Sequence, residues 1–416
     1  MRILKRTLER CVIMMKFKND YIHNALNALN FQTFSEIQEK VIPYALKGRD
    51  VIGVSETGSG KTHAFLLPLL DNLDNPINHK YAQALIVAPT RELAKQIESM
   101  IKAITDHADF PVDIRTFAGG SDRNREIERL KKHQPDIVIG TPGRLEDLIL
   151  KEKVLHMHTI KTFVIDEADM ALDQGFIETL GRLASIINTK AQMMVFTATL
   201  PKHLKHFVEK SMHHPHQVIL DTMRLKELKI RHQFMRSARE NRDQDLLKLL
   251  GAFNPYLALI FTNSKDDAKR LKALLYQEGF SVTALHGDLS ARERKQVMRE
   301  IDNLKVEYIV ASDMAARGMD IKGVSHIINY EFPRKMHFYI HRSGRTGRMG
   351  MEGEVITLYD KRDHEAFAYL EKEHVRFEFI TVKNGEIVVR ENDREVIKKT
   401  QKKYEYKNKQ YNKHRK

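Results

Sequence analysis

The stretch Ser55-Glu56-Thr57-Gly58-Ser59-Gly60-Lys61-Thr62 follows the apolar run Val51-Ile52-Gly53-Val54 and opens a segment of helical character. That order predicts a strand delivering the chain to a phosphate-sized turn at a helix N-terminus, where unpaired N–H groups and the helix dipole favour an anion. Gly58 and Gly60 let backbone N–H groups converge, Lys61 supplies a cation for β- and γ-phosphates, and the Thr62 hydroxyl suits Mg²⁺. Ser55 stands where the strict nucleotide-loop pattern has glycine. A glycine-bearing turn that happens to carry a lysine is the alternative, and the Gly-Lys-Thr ending between strand and helix argues against it. The starting expectation is therefore a nucleoside triphosphate site built from Ser55, Glu56, Thr57, Gly58, Ser59, Gly60, Lys61 and Thr62.

Outward from this loop, short β-branched runs alternate with longer helical patterns, the signature of parallel sheets covered by helices. In the first half the runs are Val51–Val54, Ala84–Ala88, Asp136–Gly140, Thr162–Ile165 and Met193–Phe196. Polar clusters follow the later four: Pro89-Thr90-Arg91-Glu92, Thr141-Pro142-Gly143-Arg144, Asp166-Glu167-Ala168-Asp169 and Thr197-Ala198-Thr199. Ligands of open α/β sheets gather at the carboxyl ends of the strands, so these clusters are expected on one face. Asp166 is positioned to hold a metal ion and Glu167 to deprotonate the attacking water. An acidic helix cap is the competing reading for that pair.

A second set of strands, Leu257–Phe261, Ser281–Leu285, Glu307–Val310, His326–Tyr330 and Glu354–Leu358, repeats the logic without the phosphate loop. His341-Arg342-Ser343-Gly344-Arg345-Thr346-Gly347-Arg348 spaces three arginines at three-residue intervals, so on a helix they would project from one face, suited to a γ-phosphate. Asn263-Ser264-Lys265-Asp266 is a decoy for guanine reading, its lysine one position too late. The expected divisions are an N-terminal extension 1–16, a first domain 17–221, a linker 222–228, a second domain 229–374 and a hairpin with Lys-rich tail 375–416.

With 416 residues, the chain suits two cores of roughly under 200 residues each. A net charge of +14 favours a polyanionic partner. Cys11 is the only cysteine, which excludes a disulfide framework and Cys-based zinc modules and points to a reducing, cytoplasmic setting. No apolar run is long enough to span a membrane. The histidines at 203, 206, 213, 214 and 216 lack paired ligand spacing and read as solvated surface residues.

Taken together, these motifs identify a resemblance: over roughly residues 17–372 the chain resembles a DEAD-box RNA helicase, a superfamily-two ATPase of two RecA-like domains. The resemblance implies an α/β fold with each parallel sheet covered by helices, ATP and Mg²⁺ as ligands, and RNA, duplex and single-stranded, as a partner bound without regard to sequence. It implies RNA contacts at Arg91, Gly119, Gly120, Thr141, Pro142, Gly143, Arg144, Gly287, Gln296, Arg299 and Ser312. Asp320 is expected at the ribose, Arg345 and Arg348 at the γ-phosphate once the domains close, and Asp169, Thr197, Thr199 and His341 in coupling ATP state to RNA. Lys61, Asp166, Glu167, Arg345 and Arg348 form the implied catalytic set, with Thr62 and Asp166 as the metal ligands. In Asn30-Phe31-Gln32-Thr33-Phe34-Ser35-Glu36-Ile37-Gln38, similar to the family's adenine-reading motif, Gln38 pairs with the base, while Asn30 and Phe34 replace the usual glycine and proline. Phe17, or alternatively Tyr21, is the aromatic expected to pack on the base.

Beyond the second domain, Phe377–Val382 and Glu386–Val389 flank Asn384-Gly385, which predicts a hairpin with a type I′ turn. From Lys398 the composition predicts a basic, disordered tail. Hairpin and tail are similar to those of bacterial cold-shock helicases of the family. The implied activity is ATP-driven local unwinding of short duplexes; an ATP-gated RNA clamp or chaperone, and a DNA translocase on the same tandem fold, are the alternatives. Ribosomal precursors and the RNA-decay machinery are alternative settings.

Overall fold

Runs in which every side chain is apolar fit strands buried on both faces. In the computed structural model, which describes residues 15–56, 58–75, 81–120, 122–220, 229–316, 321, 323–347 and 352–390, such runs become the sheet centres. The chain divides into two compact units, Met1–Thr222 and Met223–Lys416. The first contains β1 Val51–Val54, β2 Ala84–Val87, β3 Ile114–Phe117, β4 Ile137–Gly140, β5 Thr162–Ile165, β6 Gln192–Thr197 and β7 His216–Ile219. They form one seven-stranded sheet in the order β3-β4-β2-β5-β6-β1-β7, every pair parallel. Alternate side chains feed two cores: Val51, Ala84, Ile86, Ile137 and Ile139 enter one, and Ile52, Val54, Leu85, Val87 and Val138 the other, as the two-residue period of a strand requires.

The second unit contains β8 Ile230–Arg236, β9 Ala258–Thr262, β10 Val282–Leu285, β11 Tyr308–Ser312, β12 His326–Asn329, β13 Gly353–Tyr359, β14 Phe377–Lys383 and β15 Glu386–Val389. Their order is β10-β11-β9-β12-β13-β8-β14-β15. All neighbours are parallel except β14 and β15. Leu259 and Phe261 serve one core and Ala258 and Ile260 the other. Both units are thus helix-covered parallel sheets of the kind expected.

Several elements depart from the sequence reading. β3 and β8 were not anticipated, because Ile-Arg-Thr-Phe and Ile-Arg-His-Gln-Phe-Met-Arg carry too many polar residues to stand out as apolar runs. The helix His364–Lys372 lies at the end of the expected second domain 229–374, and the sheet continues past it: Phe377–Ile380 pairs with His232–Met235 of β8. The hairpin is therefore part of the second sheet rather than an appendage. Its turn has φ of 53° at Asn384 and 80° at Gly385, the left-handed pair a type I′ turn needs. The row of arginines does not lie on one helix, since the helix His337–Ser343 stops before Arg345, with Gly344 as its C-cap. Residues 1–14, the linker at 222–228 and the tail from Lys398 lie outside the described residues. No helix among the described residues is long and apolar enough to cross a membrane.

Candidate nucleotide and nucleic-acid sites

Strand order in the first unit sorts the polar clusters into two groups along one sheet edge. The adjoining strands β5, β6 and β1 end in Asp166-Glu167, Thr197-Ala198-Thr199 and the phosphate loop; the adjoining strands β3, β4 and β2 end before Gly119-Gly120, Thr141–Arg144 and Arg91.

In the phosphate loop Gly58 and Gly60 have φ of 87° and 97°. A Cβ on Gly60 would lie 2.5 Å from Gln38 Nε2 and 2.7 Å from Ser35 Oγ, so both backbone angle and space require glycine. Lys61 is 5% exposed; its Nζ donates to the carbonyls of Ser55 at 2.6 Å and Glu56 at 3.1 Å and lies 3.9 Å from Glu167 Oε1. The Ser59 hydroxyl donates to Glu56 O at 2.8 Å, and Ser55 and Ser59 hydroxyls are 2.7 Å apart. Thr62 is half-buried in the first helical turn, and Thr57 lies outside the described residues.

Asp166 is buried at the end of β5, and its Oδ1 accepts from Glu167 N–H at 2.9 Å. Burial, with the Glu167 carboxylate as the second cause, raises its pKa to about 7. Glu167 itself adopts φ 49°, a left-handed conformation held by the strand-to-helix corner. A buried carboxylate destabilised in this way, with a second carboxylate and a threonine hydroxyl on neighbouring segments, is an all-oxygen donor set for a hard divalent cation. Among the described residues no group of three or more His, Cys, Asp or Glu could hold a metal.

Asp169, Thr197 and Thr199 form one network. Asp169 Oδ2 accepts from Thr199 N at 3.0 Å and Thr199 Oγ1 at 2.9 Å, while Thr197 Oγ1 donates to Thr199 O at 2.7 Å and accepts from Asp169 N at 3.2 Å. β5 and β6 are thereby linked at the corner beyond the acidic pair.

On the base side, both ends of the Gln38 amide are engaged: Nε2 donates to Gly60 O at 3.0 Å and Oε1 accepts from Ser35 N at 2.9 Å. Phe17 is 8% exposed with its ring edge-to-face with His23 at 5.3 Å, and Tyr21 donates its hydroxyl to Leu70 O at 2.8 Å. Both belong to the core. His63, which the sequence reading passed over, meets the Phe31 ring edge-to-face at 4.8 Å. Burial lowers its pKa to about 4, so its ring is neutral at neutral pH.

At the other group, the Arg91 guanidinium covers the diglycine: a Cβ on Gly120, where φ is 90°, would lie 2.3 Å from Arg91 Nη1. Gly119, Gly120 and Gly143 are exposed, Pro142 opens the helix Pro142–Glu146, and Thr141 precedes it in extended conformation. Arg144 is held beside Glu126 at 3.2 Å and Asp147 at 3.8 Å. In the second unit Gly287 follows β10 and Ser312 ends the adjacent β11; Gln296 and Arg299 lie exposed on the helix Ala291–Asp302. Gln296 donates to Glu300 at 3.1 Å.

Arg342 has a different environment from the exposed, ligand-facing one that its spacing suggested. It is 2% exposed and donates to both Asp313 oxygens at 2.6 and 2.8 Å, to Asn329 Oδ1 and Glu331 O at 3.0 Å each, and to Asn263 Oδ1 at 2.9 Å. Arg345 is 8% exposed in the turn that follows, and His341 is half-buried. Asp320 and Arg348 lie outside the described residues.

Family models match in the same two places: residues 35–207 match the DEAD/DEAH box helicase model and 241–350 the helicase conserved C-terminal domain. The chain is 43% identical to the DEAD-box ATP-dependent RNA helicase CshB of Listeria monocytogenes, over 89% of this chain and 84% of that one. It is 42% identical to CshB of Bacillus subtilis, over 88% and 83%. Among solved structures, that of S. cerevisiae Dbp5 bound to RNA and ADP BeF3 is similar with a TM-score of 0.76 and 28% identity, covering 92% of this chain and 96% of that one.

Proposed function

The chain belongs to the DEAD/DEAH box helicase family, and from that premise we propose how its residues divide the work of an ATP-dependent RNA helicase. ATP is the substrate; the activity is RNA-stimulated hydrolysis to ADP and phosphate. The observation that carries the assignment is the arrangement at the ends of β5 and β1, where Lys61 Nζ lies 3.9 Å from the Glu167 carboxylate and a buried Asp166 stands beside it.

In this reading the loop N–H groups and Lys61 hold the β- and γ-phosphates, and Asp166 and Thr62 hold Mg²⁺. The ion, when bound, neutralises phosphate charge. Glu167 takes the proton of the water whose oxygen bonds to the γ-phosphorus as the bond to the β-phosphate oxygen breaks. Arg345 and Arg348 stabilise charge on the transferring phosphoryl group, and Asp320 bonds the ribose. Gln38 reads adenine, and of Phe17 and Tyr21 the former is assigned to pack on the base, since the Tyr21 hydroxyl is engaged with Leu70 O.

Gly119, Gly120, Thr141, Pro142, Gly143, Gly287, Gln296, Arg299 and Ser312 are assigned to RNA. Backbone amides, small hydroxyls and arginines address phosphates and 2′-hydroxyls rather than base edges, so binding is independent of sequence and suited to local unwinding. Arg91 supports the diglycine, and Arg144 anchors the Thr141–Gly143 turn through Glu126 and Asp147. The Asp169–Thr197–Thr199 network, with His341 in the second unit, couples nucleotide state to RNA. The setting is the cytoplasm, with ribosomal precursors or the RNA-decay machinery as further partners.

The test is Glu167→Gln, which removes the base and keeps the shape. Turnover should fall by about 10²-fold or more while ATP-dependent RNA binding persists. Hydrolysis within a few-fold of the parent would remove Glu167 from the role. Parent protein that holds RNA with ATP but never releases a short duplex would instead be a clamp.

A further inference from the structure

We propose that His63 is a positioning residue for base recognition: it anchors the adenine-reading turn to the helix that begins at Lys61 and so sets how strongly the site prefers ATP over other nucleotides. This rests on the assignment of Gln38 to adenine.

The segment from Asn30 to Gln38, whose last three residues open the helix Glu36–Ala45, touches the phosphate-loop segment at two ends. At its C-terminal end, Gln38 Nε2 donates to Gly60 O at 3.0 Å and the Ser35 hydroxyl packs so closely that a Cβ on Gly60 would lie 2.7 Å from it. At its N-terminal end the contact is the Phe31 ring meeting the His63 ring at 4.8 Å and 70°. One anchor fixes a position; two fix an orientation, which a planar amide needs if it is to pair with both N6 and N7 of adenine.

The backbone is fixed on either side of the ring contact: Asn30, at φ 56°, closes the helix Asp20–Ala28, with Asn30 N–H donating to Asn27 O at 3.0 Å and Phe31 N–H to Leu26 O at 2.9 Å, and Ser35 caps the helix Glu36–Ala45. The Phe31–His63 contact ties the stretch between those two helix ends to the helix that begins at Lys61. The Phe31 ring also lies 6.5 Å from that of Phe34, centroid to centroid. His63 lies two residues beyond Lys61 on the first helical turn, and its contact with Phe31 is ring packing.

The experiment measures dissociation constants of Mg²⁺-ATP and Mg²⁺-UTP on the full-length parent, His63→Ala and His63→Phe, together with KM and kcat for RNA-stimulated hydrolysis. An edge-to-face ring pair corresponds to about a two- to tenfold effect. His63→Ala should weaken ATP by about that factor while UTP shifts less, narrowing the ATP preference, and KM for ATP should rise more than kcat falls. His63→Phe, which restores a ring, should recover the preference and guards against a misfolded alanine variant. An unchanged ATP-to-UTP ratio in His63→Ala, or equal weakening of both nucleotides, overturns the proposal. A parent that does not prefer ATP overturns the assignment of Gln38 and the proposal with it.

Discussion

Arg342 shows how far the meaning of a residue depends on partners distant in sequence. Its guanidinium has five N–H donors, and five bonds to Asp313, Asn329, Glu331 and Asn263 are formed at 2% exposure. Lysine has three donors at one point and cannot reach the two Asp313 oxygens and both amides together. Arg342→Lys should therefore lower stability by about 1–3 kcal/mol, the scale of leaving buried acceptors unsatisfied, read as an earlier urea transition by circular dichroism, since the chain has no tryptophan. A variant melting with the parent would show that the network is not structural. The role of Arg342 was hidden because its amide partners lie 13 and 79 residues away. The phosphate loop was readable because its chemistry is local: a strand, followed within eight residues by two glycines, a lysine and a hydroxyl. Gly60→Ala tests that local reading. It places a methyl against Gln38 and forces alanine to φ 97°, so ATP affinity should fall by at least about tenfold in a binding titration. An unchanged affinity would mean that the loop relaxes freely.

β8 illustrates what a sequence pattern cannot show about an element. Its His232 and Gln233 are each 2% exposed, although polar residues of this kind read as a surface segment; pairing with β13 on one side and β14 on the other is what buries them. His232 Nδ1 lies 2.9 Å from the Tyr339 hydroxyl, and burial holds the ring neutral with its pKa lowered to about 4. The unfolded chain binds a proton near 6.5 and the folded one only near 4, so this residue's contribution is complete above about pH 6.5 and is lost as pH falls toward 4. The loss is at most on the order of 3 kcal/mol. Denaturation at pH 7.5 and 5 should show a smaller acid loss in His232→Phe than in the parent; equal losses would exclude His232 as the cause. The same strand makes the hairpin necessary. Phe379 and Ile380 of β14 are 2% and 1% exposed, and burial of two such side chains contributes about 3–6 kcal/mol. A chain ending at His374 should therefore melt earlier and aggregate through the uncovered β8 edge, whereas one ending at Arg390 should not. Equal melting of the two would make the hairpin the appendage that its position after the last helix suggested.

At the scale of the whole molecule, charge is distributed unevenly along the chain. Lys398, Lys399, Lys402, Lys403, Lys407, Lys409, Lys413, Arg415 and Lys416 face the single acid Glu405, a net +8 in the last 19 residues out of +14 for the chain. Tyr404, Tyr406 and Tyr411 lie among them, and tyrosine rings stack on unpaired bases with about 1–3 kcal/mol each when well ordered. This composition suits an RNA tether, and the competing account is a merely solubilising tail, since runs of charge commonly face water alone. Salt separates the two, because each phosphate contact to a single strand adds about 0.7 to the slope of log K against log salt. Truncation after Val396 removes no residue assigned to the ATP site. If the tail makes three or four contacts, the slope should fall by about 2 to 3 and RNA affinity at low salt should drop, while kcat at saturating RNA changes little. An unchanged slope with unchanged affinity would show that the tail does not hold RNA, and would leave the segments after β3 and β4 in the first unit, and after β10 and β11 in the second, as the candidate RNA contacts.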